Sequence, residues 1–136
     1  MNVESALFAF LSANAGIQAA VGKRIYPAAL PKSPTFPAIV YQRQPAAPPD
    51  RLQDGEIIFT HARFHIIPLG QGERAYAMAK EARDAVFAAL DNYSGQFADL
   101  YAHDITVEEE ADDVELPPEL TDQKIVGVRM TIDITL

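Results

Sequence analysis

Hydrophobic residues recur at helical spacing in two long segments of the chain. In residues 2–14, apolar side chains return every three or four positions and form one stripe. That stripe consists of Val3, Ala6, Leu7, Phe10 and Leu11. Residues 72–90 repeat the pattern with a stripe made mostly of alanine, which allows close packing on a sheet. Between the two, residues 16–21 predict a short helical turn that ends at Gly22 as its C-terminal cap.

Four other segments have the composition or alternation of strands. They are residues 38–44, 57–67, 101–110 and 124–136. One face of the second strand would carry Ile58, Ala62, Phe64 and Ile66, and the other Phe59, His61, Arg63 and His65. Pro68 and Gly70 are expected to end that strand. The order helix, strand, strand, helix, strand, strand predicts an α+β fold. We expect an antiparallel four-stranded sheet with the N-terminal helix and the long central helix packed on one face.

The segments between these elements have the composition of loops. Residues 27–49 contain seven of the ten prolines, which fixes the backbone and removes amide donors. We therefore predict a proline-rich loop region over residues 27–56, with Asp54 and Gly55 as a turn near its end. A second loop, acidic, is predicted over residues 108–122. With 136 residues, the chain is expected to form a single domain over 1–136.

Charge and composition narrow the function classes. The net charge is −8, from 19 acidic and 11 basic residues, which argues against a non-specific binder of duplex DNA. Without cysteine the chain has no disulfide and no thiolate metal site. Its apolar runs are far shorter than the roughly 20 residues that span a bilayer. Because the apolar segment 6–15 is short and no basic residue precedes it, we expect no secretory signal.

The stretch AGIQAAVGKRIYP, residues 15–27, resembles a phosphate-binding loop at first sight. Such a loop has four residues between its first glycine and Gly-Lys, followed by Ser or Thr. Here five residues separate Gly16 from Gly22, and Arg24 follows Lys23 where the hydroxyl belongs. The stretch also ends a helix instead of opening one. The pattern therefore favours a helix terminator over a nucleotide site.

Other candidate chemistry is equally weak. On a strand, His61 and His65 would lie about 13 Å apart, too far to share one metal ion. The acidic run 108–122 has eight carboxylates without the spacing of a calcium loop. The chain has no G-x-S-x-G nucleophile motif. We therefore predict no enzyme activity and no catalytic, cofactor-binding or metal-binding residue.

The segment VGKRIYPAALPKSPTFPAIVYQR, residues 21–43, resembles the signature of the phage tail completion proteins. Members of that family have an N-terminal helix, a G-x-R-I/V-Y/F-P motif, a proline-containing loop and P-x-I-V-Y-x-R. An Asp-Gly turn, a strand with Arg before alternating apolar residues, and an alanine-rich helix follow. This sequence has these elements in the same order at residues 24–27, 37–43, 54–55, 63–66 and 74–90.

The resemblance implies a structural protein of a phage or prophage tail. Tail terminators of this kind form hexameric rings on the head-proximal end of the tail tube, stop its polymerisation and offer a joining surface to the head. The expected partners are further copies of the chain, the tail tube protein and the head-tail connector protein. We expect no specific nucleic-acid binding, no membrane and no cofactor; DNA would pass through an acidic lumen. The expected location is the virion, after assembly in the bacterial cytoplasm.

Residues outside the helical stripes and in the family motifs are candidates for subunit or tube contacts. They are Phe8, Arg24, Tyr26, Arg43, Arg51, Asp54, Tyr76 and Phe87. One alternative is a small bacterial α+β binding module with no virion role. Another is a hydrolase or metal enzyme that uses His61, Asp54 or the acidic run.

Overall fold

The computed structural model describes residues 2–115 and 124–136. Three helices are present in them: α1 (Val3–Ala13), α2 (Ala15–Val21) and α3 (Ala75–Leu90). The strands are β1 (Ile25–Pro27), β2 (Ala38–Gln44), β3 (Asp50–Arg51), β4 (Ile57–Phe59), β5 (His61–Gln71), β6 (Tyr93–Phe97), β7 (Leu100–Glu115) and β8 (Ile125–Thr135). No helix in the described ranges is both long and apolar enough to cross a membrane.

The main sheet has six strands in the order β1-β2-β5-β8-β7-β6, and β3 and β4 form a separate two-stranded sheet. The pair β1–β2 is parallel, with Ile25 opposite Ile39, while every other pair in the main sheet is antiparallel. The predicted antiparallel four-stranded sheet with one long helix is therefore wrong. The observed sheet has two further strands, β1 and β6, and β1 pairs in parallel with β2. The hairpin β3–β4 is separate from it.

The two strands missed in the main sheet lie at its edges. β1 has only three residues and ends at a proline, so it carries no periodicity that a sequence pattern could reveal. β6 begins at Tyr93, shortly after α3 ends at Leu90, in a stretch where the sequence predicted no strand. It pairs with β7 in a hairpin, with Phe97 opposite Leu100.

The second predicted strand has different limits in the structure. It divides at Thr60 into β4 and β5, and β5 continues to Gln71 instead of ending at Pro68. Pro68 lies opposite Ile39 of β2, and the pairing of β5 with β8 is interrupted beside it, between Ile66 and Leu69, so the sheet accommodates a residue without an amide donor there. The helix that follows begins at Ala75 rather than at residue 72.

The acidic segment predicted as a loop is in part a strand. Residues 108–115 continue β7 and pair with β8 as far as Glu115 opposite Ile125. A bulge between Val107 and Glu109 shifts the register at the start of this extension. Long pairing with β8 therefore overrides the weak strand propensity of Asp and Glu. Residues 116–122 of the predicted loop lie outside the described residues.

All three helices pack on one face of the main sheet and share a single core with it. From the helices, the core takes Ala6, Leu7, Leu11, Ile17, Val21, Ala82, Val86 and Leu90. From the sheet it takes alternate residues such as Phe64, Ile66, Met130, Ile132 and Ile134. The opposite face of the sheet carries no helix of the described residues; it is polar around His61, Arg63 and His65, but Val40 and Ile67 make its β2–β5 end apolar.

Asparagine side chains cap the N-termini of α1 and α2, and a glycine caps the C-terminus of α2. The side chain of Asn2 accepts a hydrogen bond from the Ser5 amide (2.7 Å), and that of Asn14 accepts one from the Ile17 amide (3.0 Å). Gly22 ends α2 with φ +60°, which confirms its prediction as the C-terminal cap. Lys23 and Arg24 then lead directly into β1.

Candidate functional site

The eight candidate contact residues lie in four separate places and do not form one site. Arg24 and Tyr26 belong to the β1 edge, where Arg24 Nε donates to the Pro37 carbonyl oxygen at 2.7 Å. This bond closes the proline-rich crossing between β1 and β2, beside the bond from the Ile39 amide to the Arg24 carbonyl oxygen (2.8 Å). Arg24 therefore serves the fold of its own chain. Tyr26 is half-buried on the edge strand.

Phe8 and Arg43 lie near each other where α1 crosses β2. The Phe8 ring is 42% exposed, and its centroid is 6.5 Å from that of Tyr41. Arg43 Nη1 lies 2.6 Å from Glu4 Oε1, and its guanidinium carbon lies 5.5 Å from the Phe64 ring centroid. Burial, and secondarily the Glu4 charge, raises the pKa of Tyr41. This end of α1 thus presents an apolar ring beside an exposed ion pair.

Phe8 also lines a groove on the outer surface of α1 and α2. The groove has a volume of about 520 Å³, and its lining is mainly apolar. Its lining residues are Phe8, Ser12, Gln18, Gly22 and Lys23. Gly22 and Lys23, the residues that suggested a phosphate loop, therefore form one end of an apolar surface groove.

Tyr76 and Phe87 lie on α3, on the side that faces the acidic strand β7. Tyr76 Oη donates to Asp112 Oδ2 at 3.2 Å, and Lys80 Nζ lies 5.1 Å from the Tyr76 ring centroid. The guanidinium carbon of Arg83 lies 4.5 Å from the Phe87 ring centroid. Both aromatic rings therefore carry a cation of their own chain.

The same cations neutralise part of the acidic strand. Arg83 binds Glu110 through Nε and Nη2, which holds the pKa of Arg83 above its usual value. Lys80 Nζ lies 3.6 Å from Asp112, and Arg63 Nη2 lies 3.2 Å from Glu108. Three carboxylates of the predicted acidic loop are thus paired across the surface with α3 or β5.

Arg51 and Asp54 lie in the β3–β4 hairpin, residues 50–59. Arg51 Nη1 donates to the Gly55 carbonyl oxygen (2.9 Å), and Asp54 Oδ1 accepts from the Glu56 amide (3.0 Å). Gly55 has φ +90°, the backbone conformation that the predicted Asp-Gly turn requires. Both polar candidates therefore shape the turn of the hairpin.

The apolar side chains of this hairpin were not predicted as a functional surface. Leu52 is 49% exposed, and Ile57 and Ile58 are each 47% exposed. The sequence placed Ile58 on one strand face with Ala62, Phe64 and Ile66, but the strand divides at Thr60 and β4 belongs to a separate sheet. The signal that could have indicated an exposed apolar hairpin is the pair Ile57–Ile58, which follows the Asp54–Gly55 turn after a single residue.

The base of the hairpin is fixed to the body of the protein. His61 Nε2 lies 3.0 Å from Asp50 Oδ2, and the Phe59 ring contacts His103 of β7 with centroids 5.0 Å apart. The Thr60 amide donates to the Leu136 carbonyl oxygen (3.0 Å), and the Leu136 amide returns a bond to Thr60 (2.8 Å). The hairpin therefore projects from a rigid base on the β7 side of the sheet.

The two strand histidines have separate surroundings. His61 Nδ1 lies 3.7 Å from Asp133, whereas His65 lies opposite Gln42 and Thr131 in the middle of the polar face. Burial, then the Arg129 charge, lowers the pKa of His65, while Glu109 partly opposes the shift. Among residues 2–115 and 124–136, no group of three or more side chains is arranged to hold a metal ion.

Comparison with known proteins identifies the class. A family model described as "Tail completion protein gp17" matches residues 5–133, almost the whole chain. The protein is therefore a structural protein of phage tails. Specifically, the chain belongs to the tail completion protein gp17 family, which confirms the resemblance of its motifs. No curated protein matches the chain.

A solved structure shares the fold. The chain is similar to one in "Virion of native gene transfer agent (GTA) particle", with 18% identity and a TM-score of 0.64. The alignment covers 98% of this chain and 94% of that chain. At this identity the similarity concerns the fold alone.

Proposed function

We propose that this protein caps the head-proximal end of the tail tube, stops tube polymerisation and provides the surface that joins tail to head. The observation that carries the proposal is the family match over residues 5–133. The fold similarity to a chain of a gene transfer agent virion supports it, because that chain belongs to an assembled particle. Function here would consist of binding, without bond chemistry.

The edges of the main sheet favour assembly through side-chain surfaces. β1 is three residues long and ends at Pro27, and β6 is five residues long with Gly95 in its middle. Short strands with Pro or Gly are poor templates for continuing a sheet into another molecule. Beyond Ile105, where the β6 pairing stops, β7 itself forms the edge, and the four carboxylates of residues 108–112 also disfavour strand addition there. Contacts with further copies, the tail tube protein and the connector protein would therefore use exposed side chains, above all the α1–α2 groove and the β3–β4 hairpin.

We propose a hexameric ring as the assembled form, with DNA passing through its lumen. The net charge of −8 favours a surface that repels DNA phosphates and lets the DNA slide. Because Glu108, Glu110 and Asp112 are paired with cations, they would contribute less repulsion than their number suggests. The protein would assemble in the bacterial cytoplasm and remain in the tail of the virion.

A tube-growth assay tests the capping function. Purified tail tube protein is polymerised from tail-tip complexes, with the protein added at a few copies per growing tube, and tube lengths are measured by negative-stain electron microscopy. Capping predicts shorter tubes whose growth does not resume when more tube protein is added. Unchanged tube lengths at saturating protein would contradict the proposal. An unrelated acidic protein of similar size controls for non-specific charge effects.

A further inference from the structure

The β3–β4 hairpin and the α1–α2 groove are two exposed surfaces that face different sides of the molecule. The hairpin base contacts His103 of β7, near one edge of the main sheet. The groove lies beside Tyr41 of β2 and next to Lys23, which leads into β1 at the opposite edge. One copy of the chain can therefore use both surfaces at once, each with a different neighbour.

The hairpin carries branched apolar side chains that no part of residues 2–115 or 124–136 covers fully. Ile57 and Ile58 point to opposite faces of their strand, and each is nearly half exposed, as is Leu52. A two-stranded hairpin is marginal on its own in water. This one is held at its base by His61 and at its turn by Arg51. It is thus ordered before binding, which lowers the entropy cost of an interface.

The groove matches the hairpin in chemistry. It is an open groove of about 520 Å³ in which the exposed Phe8 ring lies beside Ser12, Gln18 and Lys23, and carbon atoms make up most of its surface. Lys23 is exposed at one end. Arg24 Nη1 approaches the same end, 3.7 Å from the point a Gly22 Cβ would occupy. The hairpin turn carries Asp54 and Glu56 against the single cation Arg51, which makes it complementary in charge.

We infer that the β3–β4 hairpin of one copy binds in the α1–α2 groove of the next copy. Apolar hairpin residues cover the exposed Phe8 ring, and the turn carboxylates approach Lys23. The contact joins two different surfaces, so it is head-to-tail and closes into a ring when the rotation permits. This inference rests on the proposed function, because it describes how the ring that caps the tube is built.

Cysteine cross-linking tests the contact, since the chain has no cysteine of its own. One variant carries Ile58→Cys on the hairpin and another carries Gln18→Cys in the groove, and the two are mixed with a short bismaleimide. A head-to-tail contact predicts cross-linked dimers in the mixture and none from either variant alone. The double variant Ile58→Cys/Gln18→Cys should give a ladder that ends at a closed ring. As a matched control, Ser94→Cys on β6 should not cross-link to Ile58→Cys.

The outcomes separate the interface from the proposed function. The experiment is done with and without tail tubes, and binding to tube ends is measured on the same samples. Tube-end binding without the Ile58–Gln18 product overturns the interface and leaves the capping function standing. Dimers from Ile58→Cys alone would indicate a two-fold contact between hairpins. Cross-links from Ile58→Cys to the tail tube protein would indicate that the hairpin binds the tube. Either result overturns the inference. Absence of both tube binding and cross-linking overturns the interface and the capping function together.

A charge exchange gives an independent measurement. Lys23→Glu should weaken association between copies roughly five-fold, as expected for an exposed ion pair replaced by like charges. Adding Glu56→Lys to the same chain should restore part of the loss, while Glu56→Lys alone weakens association. Equal association by all of these variants, measured by light scattering over a concentration series, would contradict the inferred contact.

Discussion

The Nε atom of Arg24 donates a hydrogen bond to the carbonyl oxygen of Pro37, 2.7 Å away, and so joins the residue before β1 to the residue before β2. Both residues belong to the motif on which the family resemblance rests. Their relationship shows that the motif supports an edge of the fold, namely the parallel pairing of β1 with β2.

Removal of this bond should destabilise the protein. Arg24→Met keeps most of the side-chain stem but loses the charged donor, and we expect a loss of about 1–2 kcal/mol in the free energy of unfolding. Urea unfolding followed by circular dichroism measures the change. Arg51→Met is the matched control, because Arg51 bonds to a carbonyl within the exposed hairpin turn. Equal losses in both variants would contradict the structural role of Arg24.

Close contact between β5 and α3 makes Gly70 intolerant of a side chain. A Cβ atom at Gly70 would lie 2.2 Å from the Ala75 carbonyl oxygen and 2.7 Å from Met78 Cβ, so the helix would have to move. Gly70→Ala should therefore lower the free energy of unfolding by about 1–3 kcal/mol. Ala77→Ser adds one atom at an exposed position of the same helix and should cost well under about 1 kcal/mol. A stable Gly70→Ala variant would indicate that α3 packs farther from the sheet.

His65 should make stability depend on pH below neutrality. Its folded-state pKa is lowered, so the unfolded chain binds more protons once the pH falls to about 6.5. Stability is therefore fully present above that pH and decreases as the pH falls towards the folded pKa. NMR titration of the His65 ring should give a pKa below the ordinary histidine value. In Arg129→Met the pKa of His65 should rise, because one positive charge that opposes protonation is gone; an unchanged pKa would contradict the assigned cause.

Arg83 should couple α3 to β7 through Glu110. A double-mutant cycle with Arg83→Met and Glu110→Gln should give a coupling free energy of about 0.5–1 kcal/mol. The Arg43–Glu4 pair provides the control cycle: both of its side chains are more than 40% exposed, so its coupling should be smaller. If the two couplings were equal, the half-buried setting of Arg83 over Phe87 would have no energetic consequence.

The sequence predicts those parts of the fold whose residues repeat with a clear period. α1, α3 and β8 have buried stripes at the expected positions, because one face of each packs against the core. β1 and β6 were missed because three residues that end at a proline and five residues around a glycine carry no such stripe. β1 forms only because it pairs with β2 across the proline-rich crossing, and β6 forms only because it pairs with β7. Neither pairing leaves a periodic pattern in the short strand itself.

The candidate contact residues show the same limit. Periodicity indicates that Phe8 and Tyr76 lie outside the buried stripes, and both are exposed. It cannot indicate that Phe87 is half-buried beneath Arg83, or that Arg51 and Asp54 hold the turn of their own hairpin. The exposed Ile57 and Ile58 were missed because a strand that continues through Thr60 would have buried one of them.

The most direct test of the central claim is to image tail tubes by electron microscopy after incubation with the purified protein. Capping predicts added density at the head-proximal end of each tube, none at the opposite end or along the wall, and loss of tube growth at the occupied ends. Density spread along the tube wall, or tube ends that stay bare at saturating protein concentration, would contradict it.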